Sequence, residues 1–212
     1  MYRLKNLQLL ASIISHSYSV PTIAQKLPDR ALQLTLGYGT HGSGDLKGVI
    51  FGAEYIKYFP SGVSLNYNFR GSINTGKDKI IVTGGPSGNT IDASVRYTTA
   101  GVQFGVNAGY SFLRSSAHEM QVSLGPFARY QSASNGTDGY SFYGPNQTGI
   151  PTVLIGFDNR SPQETISIGG IFQLHYNYTF NNKNYIGIVP GFQTDTNGDV
   201  IPQVGLSIGK RF

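Results

Sequence analysis

The sequence predicts an all-β chain closed into an eight-stranded antiparallel, up-and-down transmembrane barrel, and three observations carry that prediction. Apolar residues recur with a period of two from Ala31 to the C-terminus, the spacing of strands with one apolar face. Connections between these stretches alternate between tight turns and long polar segments. Charged residues make up 13% of the chain, about half the roughly 25% of an ordinary soluble domain. The 28 glycines and 14 tyrosines disfavour helix, glycine through backbone entropy and aromatics through lost rotamers, and they suit twisted strands.

At the N-terminus, Arg3 and Lys5 precede a mostly apolar stretch from Leu7 to Ile14, and Thr22-Ile23-Ala24 places small residues before Gln25. This is the three-part pattern of a secretory signal peptide. The expected division is a leader over residues 1–24, cleaved after Ala24, and a barrel domain over residues 25–212; the alternative is an N-terminal helix or arm that stays attached. The apolar run from Leu9 to Ile14 is far short of the roughly 20 residues a spanning helix needs. Loss of Arg3 and Lys5 lowers the formal charge from +5 to +3, and the remaining cations are scattered, without the clustering that nucleic-acid binding requires. The chain has no cysteine, which excludes disulfides and thiolate metal sites.

The first strand alternates Leu32, Leu34, Leu36 and Tyr38 with Gln33, Thr35, Gly37 and Gly39. The second carries Val49, Phe51, Ala53 and Tyr55 on its apolar face and leaves Ile50 and Ile56 on the polar one. Pro60-Ser61-Gly62 turns into a third strand with Val63, Leu65, Tyr67 and Phe69 opposite Ser64, Asn66, Asn68 and Arg70. The fourth shows Val102, Phe104, Val106, Ala108, Tyr110 and Phe112. Upstream of it, Ile91, Ala93, Val95 and Tyr97 alternate at odd positions. That change of phase predicts a β-bulge near Thr99-Ala100-Gly101 and a hairpin rising above the lipid, with residues 79–82 paired to the upper segment from Ile91 to Tyr97.

Ser115-Ser116-Ala117 leads to a fifth strand with Val122, Leu124, Ala128 and Tyr130, and a sixth follows with Ile166, Ile168, Phe172, Leu174, Tyr176 and Tyr178. Asn181-Asn182-Lys183 and Asn197-Gly198-Asp199 are hairpin turns flanking a seventh strand with Ile186, Ile188 and Phe192. The eighth carries Val204, Leu206 and Ile208. Connections after strands three and five, about Asn74 to Tyr97 and Ser134 to Gln163, exceed the ~12–15 residues usual in a compact domain. Short turns on one rim and long loops on the other are the asymmetry of an outer-membrane barrel. A ten-stranded barrel is the alternative.

The apolar faces hold almost no charge, and such an exterior needs lipid as its solvent. Tyr38, Tyr55, Tyr67, Tyr110, Tyr130, Tyr176 and Tyr178 fall near strand ends, where amphipathic rings form interfacial girdles. In this pattern the chain resembles the OmpA/OmpX-type small outer-membrane barrels of Gram-negative bacteria, over roughly Ala31 to Phe212. Val204, Leu206, Ile208 and the terminal Phe212 look like the C-terminal signal of that family. The resemblance implies that the barrel assembly machinery reads it. Where the family carries an aromatic two residues before the end, this chain has Lys210.

Glu54, Arg70, Arg129 and His175 fall on the polar faces and are expected inside the barrel. An eight-stranded barrel is just wide enough for side chains to fill, and buried charges must pair, so a polar plug is expected in preference to a conduit. His41 and His118 belong at opposite ends, so no histidine cluster forms. The expected protein is a non-enzymatic outer-membrane scaffold without cofactor, whose partners are outer-membrane lipid, the assembly machinery and an extracellular ligand of the long loops. A narrow pore for small solutes is the alternative, and a lipid-A-modifying enzyme, for which His41, Asp45 and loop serines could supply parts, is a third.

Overall fold

The computed structural model describes residues 28–42, 46–83, 90–134, 140–157, 161–181 and 183–212. The leader expected over residues 1–24 and its cleavage point lie outside the described residues.

The period-two segments form strands β1 (Arg30–His41), β2 (Leu46–Tyr58), β3 (Val63–Asp78), β6 (Val95–Arg114), β7 (His118–Ala133), β10 (Gln163–Phe180), β11 (Asn184–Asp195) and β12 (Val200–Arg211). These eight close in the order β1-β12-β11-β10-β7-β6-β3-β2, every neighbouring pair antiparallel. Eight strands, not ten, make the barrel. Closure is by β1 on β12, from Ala31 opposite Arg211 to Gly39 opposite Gln203, and Arg30 exchanges both backbone hydrogen bonds with Phe212. Both barrel ends therefore lie on one rim, with the turns after β2, β6 and β10. In the first of these, Gly62 takes φ 81°, a conformation that costs glycine nothing, and its N–H donates to Phe59 O at 3.1 Å.

The opposite rim carries the remaining elements. A two-stranded hairpin of β4 (Ile81–Thr83) and β5 (Thr90–Asp92) continues β3 and β6 upward, and another of β8 (Tyr140–Tyr143) and β9 (Leu154–Phe157) stands after β7. A single turn of helix, α1 (Pro145–Thr148), lies between β8 and β9. The expected pairing of residues 79–82 is thus seen from Ile81 onward; the tip, residues 84–89, lies outside the described residues.

The expected bulge at 99–101 is absent. The β3–β6 register runs without a shift from Val63 opposite Tyr110 to Asp78 opposite Val95. Val95 is buried because the odd residues of β6 face inward from Val95 to Ser111, and Ala93, just before the strand, is buried as well. Above the lipid, apolar side chains no longer gain by facing outward, so the apolar phase changes while the strand does not. The irregularity lies at the other end, where the β6–β7 register shifts between Ser111 and Leu113.

The two faces are the reverse of a soluble barrel. Ile166 is 76% exposed beside Ser167 at 1%, and Leu206 is 71% exposed beside Ser207 at 5%. An outer wall of leucine, isoleucine and phenylalanine is stable only in a bilayer, and closed barrels of this kind are outer-membrane structures. Ile50 and Ile56 do face inward. Ile56 packs with Ala31, Tyr58 and Tyr185 in a small apolar cluster near the short-turn rim.

Candidate functional site

The lumen is filled in tiers, and glycine makes the room. A Cβ on Gly209 would sit 2.2 Å from Tyr185 Cζ, and one on Gly52 would sit 2.8 Å from Arg70 Cγ. Both glycines face inward, so each large side chain lies flat across a wall that has no side chain of its own.

The lowest tier centres on Glu119 of β7, which is wholly buried. Its Oε2 accepts from Arg211 Nη2 at 2.9 Å, from the Tyr58 hydroxyl at 3.1 Å and from Asn177 Nδ2 at 3.3 Å. Its Oε1 accepts from Ser111 Oγ at 3.0 Å and lies 3.7 Å from Arg114 Nε. The Arg114 guanidinium stacks on the Tyr58 ring, 3.8 Å from its centroid. These partners come from four strands, and they close the floor.

The middle tier holds three of the residues expected from sequence. Glu54 and Arg70, on adjacent strands, form an ion pair at 3.7 Å. Glu54 Oε1 accepts from Asn66 Nδ2 at 2.8 Å, and Arg70 Nη2 donates to Gln173 Oε1 at 2.7 Å on the far wall. His175 is fully buried, its Nε2 3.2 Å from Ser123 Oγ. Above them Gln103 and Gln193 exchange two hydrogen bonds across the lumen, at 3.1 and 3.0 Å.

Arg129 belongs to a separate tier at the long-loop rim. Its Nη1 lies 3.9 Å from Asp195 Oδ2. His41 Nε2 is 3.2 Å from Asp199 Oδ2 and 3.3 Å from Gln131 Oε1; β1 and β7 are opposite walls in the barrel order, so this contact crosses the mouth. Burial pushes the Asp199 carboxyl up, but bonds to His41 and Gln131 and the charges of His41 and Arg129 outweigh it and hold the group below its usual value.

Glu54, Arg70, Arg129 and His175 all point inward, but Arg129 does not join the other three. The reading from sequence missed Glu119, Arg211 and Arg114, and it put His41 at one end of the barrel without a partner. Glu119 and His41 continue the inward odd positions of their strands, and Arg211 ends the series Gln203, Gly205, Ser207, Gly209. Extending each alternation to the strand end would have found all three. Val204, Leu206, Ile208 and Phe212 all face outward.

Between the tiers the space is small. Two cavities, each about 10 Å³ in the volume open to the centre of a water, adjoin Arg70, and Ile50 and Gln203 line both. That is room for about one water molecule.

No protein-family model matches the sequence, and no curated protein is similar to it. Solved structures do match in fold. Neisserial surface protein A aligns with a TM-score of 0.51 at 10% identity, over 87% of this chain and 97% of that one. The N-terminal barrel domain of Pseudomonas aeruginosa OprF aligns at 0.44 and 10% identity, over 84% and 96%. The attachment invasion locus protein Ail of Yersinia pestis aligns at 0.46 and 9% identity, over 88% and 99%. The first of these supports the architecture derived above: the chain has the fold of the small eight-stranded outer-membrane β-barrels.

Proposed function

We propose that this outer-membrane barrel is a non-catalytic, non-conducting scaffold, and that its extracellular segments meet an external partner. The observation that carries this reading is the filled lumen. Buried ion pairs and hydrogen bonds fill it at three levels and leave gaps of one water, whereas function on a rigid scaffold ordinarily resides in its loops. The β8–β9 segment offers what a binding surface needs, since Phe142, Tyr143, Ile150, Leu154 and Phe157 are all exposed. A Cβ on Gly144 would lie 3.4 Å from Val82 Cγ1, so the two extracellular segments adjoin. Each hairpin has only two strands, and its free edges can accept a partner's strand.

Two measurements test the reading. Planar-bilayer recordings of the folded protein should show no discrete steps; a steady unitary conductance would favour a narrow pore instead. Cells displaying the protein should lose adhesion and self-association when residues 140–157 are replaced by a short Gly-Ser turn, with the barrel still folded. Adhesion that survives this change together with replacement of 81–92 would contradict the assignment to the loops.

A further inference from the structure

The extracellular hairpin of β8 and β9 differs in kind from the β4–β5 hairpin beside it. From Tyr140 to Phe157 the sequence carries no Asp, Glu, Lys, Arg or His, whereas β4–β5 and its stem hold Lys77, Asp78, Lys79, Asp92 and Arg96. Phe142 lies opposite Ile155, and Tyr143 lies opposite Leu154. Directly opposed residues share a face and successive ones alternate, so Phe142 and Phe157 project on one face and Tyr143 and Leu154 on the other. All four are exposed, from 38% for Phe157 to 49% for Phe142 and Tyr143, and Ile150 between the strands is 46% exposed.

The segment between the two strands meets its own backbone hydrogen bonds. Pro145 and Pro151 have no N–H to satisfy. The N–H groups of Gln147 and Thr148 donate to Gly144 O, that of Gly149 to Pro145 O and that of Thr152 to Ile150 O. Gly144 N–H donates to Gln147 Oε1 at 3.0 Å, and Ile150 N–H donates to Thr148 Oγ1 at 3.3 Å. Backbone bonded within its own segment loses little on entering a lipid interface, where an unmet donor is costly. The outer edges of this two-stranded sheet keep unpaired groups, which limits entry to headgroup depth.

Area and geometry decide what the hairpin meets. Each half-exposed side chain offers on the order of 100 Å². One face therefore offers roughly 200 Å², against the ~800 Å² per partner of a stable protein interface. A protein, or a second copy of this chain, covers one face, whereas lipid surrounds an inserted hairpin and takes up both. Asp138, Asp158 and Arg160 lie in sequence between the hairpin and strands β7 and β10, and drawing them into the barrel's own bilayer is costly. We infer that the β8–β9 hairpin inserts Phe142, Tyr143, Leu154 and Phe157, together with Ile150, into the zwitterionic lipid surface of an apposed membrane. Aromatic and aliphatic side chains without charge are what such an interface takes up. This assignment names the external partner of the extracellular segments and rests on the reading that they have one.

The test places the full barrel in phosphatidylcholine nanodiscs, mixes them with phosphatidylcholine vesicles and separates the two by flotation. Discs bearing the protein should float with the vesicles, and empty discs should not. Raised salt should leave binding unchanged, since no charge takes part. The triple variant Phe142→Ser, Tyr143→Ser, Leu154→Ser should bind about tenfold more weakly, because affinity follows buried apolar area. Lys77→Gln on the charged hairpin should bind as wild type does. Heat-modifiable gel migration shows that every variant is folded, which separates loss of the hairpin's contacts from loss of the barrel. The chain has no cysteine, so Phe142→Cys and Leu154→Cys can each carry an environment-sensitive fluorophore, one on either face. Both labels should shift to the blue when vesicles are added, and a label at Thr90 should not. The inference is overturned if the discs do not float, if only one of the two labels shifts, as on a one-sided protein partner, or if the discs associate with one another without vesicles. A blue shift already present in the discs alone would place the hairpin in its own bilayer and overturn it too. Absent flotation, together with cell adhesion that still requires residues 140–157, removes lipid as the partner and leaves the scaffold reading standing.

Discussion

Arg211, the penultimate residue of the chain, places its guanidinium 2.9 Å from the carboxylate of Glu119 across the barrel floor. Both side chains are fully buried, and three steps of the barrel order separate β12 from β7. The pair spans the floor, so it ties β12 to β7 across the lumen.

Removing one partner of a buried pair strands the other charge, at a cost of about 3–5 kcal/mol. Glu119→Gln and Arg211→Met should each lower stability by that order, while the double variant should cost less than the two singles together. Urea titrations of the folded barrel in detergent micelles, followed by gel mobility, check this. Strict additivity would mean that the pair is not coupled.

Gly209 tests how tightly the floor is packed. In Gly209→Ala the new methyl meets the Tyr185 ring, whose hydroxyl donates to Gln33 Oε1 at 3.2 Å. Overpacking of this kind costs about 1–3 kcal/mol. Combining it with Tyr185→Leu should recover part of the loss in a thermal unfolding measurement, because the obstructing ring is gone.

Asp199 gives the extracellular mouth a pH dependence. Its folded value lies below its ordinary one, so its contribution is fully present above the unfolded value of about 3.9 and is lost as pH falls through the folded value. Between pH 5 and 7 the contact between Asp199, His41 and Gln131 should therefore hold. Below about pH 4, amide exchange in the turn at Asn197 and Gly198 should accelerate beyond the intrinsic trend. Asp199→Asn should abolish that acceleration.

The C-terminus has two roles that one deletion separates from folding in vitro. Loss of Phe212 removes the reciprocal backbone bonds with Arg30 and the outward ring that completes Val204, Leu206 and Ile208. The variant should refold in micelles with slightly reduced stability and yet reach the outer membrane poorly in cells. Normal membrane levels would remove the reading of this strand as an assembly signal.

Parity along the strands was the legible part of the fold. The odd residues from Val63 to Phe69 and the even ones from Leu32 to Tyr38 face lipid because a polar interior on one side of the wall and hydrocarbon on the other leave a period-two chain no other choice. The same reasoning placed Glu54, Arg70, Arg129 and His175 inside. It failed where the lipid ends: Val95 is apolar and buried, and its phase suggested a bulge that the continuous β3–β6 register does not contain. It also failed to pair the charges. Nothing local links Glu119 to Arg211, since their meeting depends on the stagger of the closed barrel, which no single strand encodes.

The central claim is that one face of each strand lies in lipid and the other in a filled interior, and a spin-label scan of β3 tests it most directly. The chain has no cysteine, so single cysteines at Ser64 to Ile73 can each carry a label in the bilayer-embedded protein. Labels at Leu65, Tyr67, Phe69 and Ile73 should collide freely with oxygen dissolved in lipid and not with a water-soluble nickel chelate. Labels at Ser64, Asn66, Asn68 and Ser72 should be immobile and shielded from both. A scan without this period of two, or nickel access at the even positions as in an open aqueous channel, would contradict the account.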